Sequence, residues 1–363
     1  MLNEIKVLEE KLSSFYGYDN VILVGRARSG ILALTEVLGL AGKDSIIPSN
    51  ICPVVPVAFD ASGMNIRLAA VNPLNGLADD DRLINAMKIS KRPGLVMPSH
   101  LYGQLSSYKK SKLYSSNNNW FVLENDTLCA ARISNNRRKA FGDALLTSFG
   151  YSKTASAGLG GAILTDDGVM SKEIRRIVSK WPTPNDETIK IESNIMLTRR
   201  CLRNLGRSDL SEGLIDTEKM FLKHSFPTEF AKAVISALDK VDSVLERNAE
   251  MVAVWNEKLK GLNDYLKSPL ADLPAPWRLI KCVSNPSHRD SIANELRNIG
   301  IDVGINFPAL TDSFPTLLAG QSHPDSESWA NSVLNFWIDD SVNESKINTA
   351  VNNIKATLFS FTK

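Results

Sequence analysis

The stretch Ser148-Phe149-Gly150-Tyr151-Ser152-Lys153-Thr154-Ala155-Ser156-Ala157-Gly158-Leu159-Gly160-Gly161-Ala162 decides how this 363-residue chain is read. The apolar run 144–149 predicts a strand that breaks at Gly150. It meets a lysine among small and hydroxyl residues, and Gly158, Gly160 and Gly161 lead into a second strand, 162–165. A lysine at a strand end has no helical neighbours to pair with and stands where backbone can approach a ligand closely. In a partly apolar pocket its ammonium gives up its proton more readily, and the free amine is a nucleophile toward carbonyls. Lys153 is therefore expected to hold an aldehyde cofactor covalently.

Upstream, an α/β rhythm runs from an entry helix at 2–15 through strands at 21–24, 45–48, 66–71, 94–97 and 120–124, with helices at 31–40, 54–61 and 79–87. Strands alternating with helices predict a mainly parallel sheet covered on both faces, with ligands at the C-terminal strand ends. His100, Asp126 and Lys153 all fall at such ends. The turn Gly25-Arg26-Ala27-Arg28-Ser29-Gly30 joins the first strand to a helix expected to start at Ile31 with Ser29 as its cap. Free amides and the helix dipole make such a turn an anion site, here assigned to Ser29, Gly30 and the amide of Ile31. It is not a nucleotide-binding P-loop, because Ile31-Leu32 stands where that loop has Lys-Ser/Thr.

Downstream, 131–143 reads as a solvated basic turn, 168–181 and 188–205 as helices, and 207–227 as a mobile or subunit-contact loop. A long helical pattern at 230–262 ends a large domain, 1–240, and opens a small α+β domain, 241–363. That domain has strands at 277–283, 302–307 and 333–337 and helices at 288–299 and 344–358. His288-Arg289-Asp290 with Asn294 imitates a kinase catalytic loop, but the spacing is one residue short and no glycine-rich loop accompanies it.

A net charge of +2 gives no general pull toward nucleic acid or anionic membrane. The four cysteines are scattered without metal-binding spacing and are expected reduced. No run approaches the roughly 20 apolar residues of a membrane span, and the N-terminus has no apolar core of a secretory signal. The cytoplasm is the expected compartment.

Pyridoxal 5′-phosphate needs a lysine for its aldehyde, a carboxylate for its ring nitrogen, an anion site for its phosphate and a group against its ring. Lys153, Asp126 and the Ser29 turn with Ser148 supply the first three. Lys153, once freed, would also shuttle the substrate proton. The chain resembles the DegT/DnrJ/EryC1/StrS family of sugar aminotransferases, most clearly over 28–161. Arg28-Ser29-Gly30-Ile31-Leu32-Ala33-Leu34 is similar to its Ser-Gly-Thr-x-Ala-Leu phosphate loop. Pro98-Ser99-His100-Leu101-Tyr102-Gly103-Gln104 matches Pro-x-His-x-x-Gly-Gln. Gly142-Asp143, Ser148-Phe149 and Lys153 match Gly-Asp and Ser-Phe-x-x-x-Lys, and Gly160-Gly161 the following glycine pair.

The resemblance implies the aspartate-aminotransferase-like α/β fold (fold type I), and pyridoxal phosphate as cofactor. It implies a homodimer with active sites at the interface. The expected reaction moves an amino group, with glutamate as donor, to a keto group of a nucleotide-linked deoxysugar or a free keto-sugar. A sugar-eliminating enzyme and a catalytically silent sugar-nucleotide binder remain open. The resemblance places Cys52 at the ring-stacking position, Cys129 beside the phenolic oxygen, and His100 and Tyr102 toward substrate. Four departures stand out. Asn125 replaces a glutamate, Cys129 a glutamine, and Cys52 an aromatic residue. The Asn-x-Arg loop that reaches the partner's phosphate has no match near 223–228.

Overall fold

A computed structural model describes residues 2–128, 140–270 and 273–360. The first half runs α1 (Leu2–Tyr16), β1 (Asn20–Val24), α2 (Ala27–Val37), β2 (Asp44–Pro48), α3 (Val54–Ala61), β3 (Asn65–Ala69), α4 (Asp80–Ile89), β4 (Leu95–Val96), α5 (Lys109–Asn117) and β5 (Phe121–Asn125). It continues through β6 (Ala144–Ser148), β7 (Gly161–Thr165), α6 (Gly168–Val178), α7 (Asp186–Asn204), α8 (Ser208–Glu212), α9 (Ile215–Lys219), α10 (Ala231–Asp239) and α11 (Val241–Leu259). The C-terminal part holds β8 (Leu266–Lys267), β9 (Leu279–Val283), α12 (Arg289–Asn298), β10 (Val303–Gly304), α13 (Leu310–Ser313), α14 (Pro324–Ser332), β11 (Val333–Phe336) and α15 (Glu344–Ser360).

Seven strands form one sheet in the order β1-β7-β6-β5-β4-β2-β3. The five strands from β3 to β6 pair in parallel, each delivered by a crossover. β7 runs antiparallel to both β6 and β1. The cause is connection length: a short turn without a helix returns a strand only in the opposite direction. Strands covered on both faces read as continuous apolar runs, and β7 is buried throughout. A second, antiparallel sheet, β10-β11-β9-β8, holds the C-terminal part. One apolar core joins the two regions: Ile31, Leu146 and Ile163 belong to the same buried cluster as Ile280, Phe307 and Trp329.

The fold is the mixed α/β architecture expected, with several corrections. α2 starts at Ala27, four residues before the expected start, and its cap is Arg26, not Ser29. The stretch 207–227, expected as a loop, contains α8 and α9, which pack on α7 and α3. The strand expected at 302–307 shrinks to two residues. The helix expected across 230–262 breaks at Lys240 into α10 and α11. α5 went unseen because only Ser111 and Ser115 are buried on it, so it has no apolar stripe. The basic turn at 131–143 lies mostly outside the described residues, as does Cys129.

Candidate active site

Residues 149–160 fold back on themselves between β6 and β7. Phe149 N–H donates to Gly160 O at 3.0 Å and Ala157 N–H to Phe149 O at 2.8 Å. Gly150 N–H donates to Ser148 Oγ at 3.3 Å. Lys153 sits half-buried in this turn. Burial pushes its ammonium down from the ordinary lysine value; Cys52 opposes that shift and Arg278 adds to it. Among the described residues no carboxylate forms an ion pair with it. Two contacts fix the turn from outside. Trp277 Nε1–H donates to Ser152 O at 2.5 Å, and Thr154 Oγ1–H donates to Leu128 O at 2.8 Å.

The second of these ties the lysine turn to the chain just after Asp126. Asp126 is 6% exposed at the end of β5. Its N–H donates to Leu146 O at 2.9 Å, and its carbonyl accepts from Thr147 Oγ1 at 3.2 Å. Since β5 and β6 are parallel neighbours, Asp126 and Ser148 stand at adjacent strand ends.

The residues expected to form an anion site take other places than expected. Ser29 and Gly30 lie inside α2, and Gly30 N–H already donates to Arg26 O at 3.3 Å. Ile31 lies further in, where helix geometry commits its amide to the carbonyl four residues back. Gly30 serves packing: a Cβ there would sit 3.0 Å from Ile163 and 3.1 Å from Leu146. The amides with no carbonyl one turn behind them are those of the first turn, including Arg28 and Ser29. The Ser29 hydroxyl stays fully buried with no hydrogen-bond partner among the described residues. The glycine pair has a related purpose. A Cβ on Gly160 would strike the Phe226 ring at 2.7 Å, and one on Gly161 would lie 2.7 Å from Ala27 N. Only glycine lets β7 approach the start of α2 this closely.

His100 and Tyr102, expected to face substrate, are buried and held by protein partners. His100 is 1% exposed; its Nδ1 accepts from Ser106 N–H at 3.2 Å, so its Nε2–H faces Glu124 Oε1 at 2.8 Å. Glu124 also accepts from the N–H groups of Phe141 and Gly142 at 2.7 and 3.1 Å. Both ring nitrogens are spent. Tyr102 is fully buried, and its hydroxyl accepts from Trp329 Nε1 at 2.8 Å, Phe307 N at 3.2 Å and Asn50 Nδ2 at 3.4 Å. Burial raises its phenol further from ionisation. It joins the β4 end to the C-terminal part.

Cys52 is half-buried just before α3. The lysine turn meets the start of α2 through Gly160, which bridges to Arg26. Sequence reasoning missed two features. Arg278, 4% exposed, makes no ion pair among the described residues and lies over the rings of Trp277 and Trp337. On α7, Glu192 binds Arg26 and Arg28, and Arg199 binds Glu218. The spacing of Glu192, Arg199 and Arg203 along one helix face was the available signal.

A parallel sheet with one antiparallel strand, and a desolvated lysine in the turn before that strand, define a fold type I pyridoxal-phosphate enzyme. The sequence matches the DegT/DnrJ/EryC1/StrS aminotransferase family over residues 2–355, and the chain belongs to that family.

The chain is 26% identical over 313 residues to the dTDP-3-amino-3,6-dideoxy-alpha-D-galactopyranose transaminase of Aneurinibacillus thermoaerophilus, covering 84% of this chain and 76% of that protein. It is 25% identical over 179 residues to the spore coat polysaccharide biosynthesis protein SpsC of Bacillus subtilis, a match that spans 47% of this chain and less than half, 44%, of that protein. The solved aminotransferase TlmJ of Streptoalloteichus hindustanus superposes with a TM-score of 0.79 at 18% identity, over 99% of this chain and 92% of that one.

The family's cofactor is pyridoxal 5′-phosphate, and the residues present fit it. A desolvated amine and first-turn donors of α2 that are unpaired among the described residues, with a buried carboxylate at the adjacent strand end, are the set it requires. When bound, the cofactor supplies an electron sink for a carbanion beside its ring.

Proposed function

We propose that this enzyme transfers an amino group from an amino acid, glutamate in the first instance, to a keto group on a nucleotide-linked deoxysugar or a related keto-sugar. The product would feed polysaccharide or glycoside biosynthesis. The observation that carries this reading is the state of Lys153: half-buried, without an ion-paired carboxylate among the described residues, and pushed toward the neutral amine.

In this reading Lys153 holds the cofactor and, once released, moves the proton between substrate carbon and cofactor. Asp126 keeps the ring nitrogen protonated. Ser148 and the first-turn amides of α2 bind the phosphate. Cys52 lies against the ring face in place of an aromatic, and Cys129 is assigned to the phenolic oxygen by resemblance alone. Residues 1–240 form the cofactor-binding domain and 241–363 the domain that closes over substrate. The enzyme works as a cytoplasmic homodimer.

The test is spectroscopic. Purified enzyme should show the near-ultraviolet to violet band of a lysine-bound cofactor, and glutamate should convert it to the amine-form spectrum. Lys153→Ala should abolish the band and lower turnover by at least about 10³-fold. A band that survives the substitution would mean the wrong lysine is assigned. A band that glutamate leaves unchanged would remove glutamate as donor.

A further inference from the structure

One face of α7 carries Glu192, Met196, Arg199 and Arg203, spaced so that all four line a single stripe. Glu192 receives Arg26 Nη2 at 2.6 Å and Nε at 3.0 Å, and also pairs with Arg28. Arg28 Nη1 lies 3.4 Å from Met196 Sδ. Arg199 pairs with Glu218 of α9, donates Nε–H to Ser211 O at 3.1 Å and lies 5.1 Å over the Phe314 ring. Arg203 reaches only Ser211 Oγ, at 3.5 Å, and meets no carboxylate among the described residues.

Among the described residues four guanidinium groups thus face two carboxylates, leaving two positive charges unmatched. The paired Glu192, Arg199 and Glu218 are at most 2% exposed, while Arg203, which carries part of the surplus, is half-buried. Positive charge partly withdrawn from water without a counter-charge favours an anionic guest. The cluster is also unsatisfied as a hydrogen-bonding unit: among the described residues Arg28 Nε, Arg199 Nη2 and the Ser29 hydroxyl are buried without partners, as is one Glu218 oxygen. Arg28 and Ser29 belong to the first turn of α2, whose amides and dipole favour the same kind of guest. The bridge between Arg26 and Gly160 sets the start of α2, and with it the Arg28 end of the cluster, against the end of the lysine turn.

We propose that Arg203, backed by Arg28 and Arg199, binds a phosphate group from within a single chain, with α7 as the helix that delivers the charge. The phosphate can come from the cofactor or from the diphosphate of a nucleotide-linked substrate; the second source rests on the substrate reading above. Arg203 is half-buried and bound only to a hydroxyl, so Arg203→Gln should leave the fold intact.

The full-length apoprotein of this variant is titrated with pyridoxal 5′-phosphate and with pyridoxal, read by the lysine-bound band, and with thymidine diphosphate, read by heat of binding. The Kd for pyridoxal 5′-phosphate should rise about 10- to 100-fold, as expected for one charge-assisted contact, while that for pyridoxal stays constant. Arg203→Lys should fall between, and Arg200→Gln, on the exposed face, should change nothing. Weakened thymidine diphosphate with unchanged pyridoxal 5′-phosphate assigns the same site to the nucleotide. Equal weakening of pyridoxal 5′-phosphate and pyridoxal, or no change with either phosphate ligand, overturns the proposal. The heat-of-binding arm needs no lysine adduct, so its outcome is independent of the Lys153 assignment.

Discussion

Gly103 sits in the left-handed region at φ +91°, and a Cβ built on it would fall 2.0 Å from Ala275 O. Here the end of β4 and the segment leading to β9 touch backbone to backbone. Gly103→Ala should cost about 2–4 kcal/mol, from overpacking plus backbone strain, read as a lower urea midpoint with an unchanged slope. The turn that carries Lys153 was legible in the sequence because its signal is local: a strand, a break, small residues and glycines. His100 was not, because a polar residue at a strand end looks the same whether it meets substrate or a buried partner. What decides is Glu124, 24 residues away. Ser29 was misread for a different reason. Ala27 and Arg28 are as compatible with a first helical turn as with a loop, so composition does not fix where the helix begins.

Elements delivered by crossover were readable because burial on both faces writes an apolar run into each strand. Elements held by polar or ionic contacts were not. α8 and α9 are five residues each and are secured through Ser211, Glu212 and Glu218, a pattern with no apolar period.

The segment crossing the β1–α2 turn adds a titratable group. His224 O accepts from Gly25 N–H at 3.0 Å, and its side chain packs where Gly25 has no Cβ. Burial first, then Arg28 and Arg26, push the imidazole below its ordinary value of 6.5. The unfolded chain therefore takes up this proton before the folded one does. The contribution is present above about pH 6.5 and is lost as pH falls through the folded value. The denaturant midpoint should drop on acidification from pH 7.5 to 5.5, and His224→Asn should shrink that drop. An equal drop in the variant would assign it to other groups, such as His323, which burial also pushes down.

Across the whole molecule, the two sheets share one apolar core and a buried polar junction within it. Tyr102 gathers donors from Asn50, Phe307 and Trp329, and its ring lies 5.6 Å from that of Trp329 and 5.8 Å from that of Phe307. Tyr102→Phe keeps the ring and strands the donors, at a cost of about 1–3 kcal/mol. Thermal unfolding should report that loss, with the cofactor band unchanged if the tyrosine joins the sheets and does not touch the ring. The two-sheet plan itself was foreseeable from strand and helix order. The shared core was not, because long-range packing leaves no mark on local periodicity.

The bond from the Trp277 indole to Ser152 O spans 125 residues, and the same indole stacks on Phe307 at 6.1 Å. The place of the Lys153 turn is therefore written from far along the polypeptide. A fragment ending ahead of Trp277 would keep strand, turn and amine, yet lose the hand that steadies them.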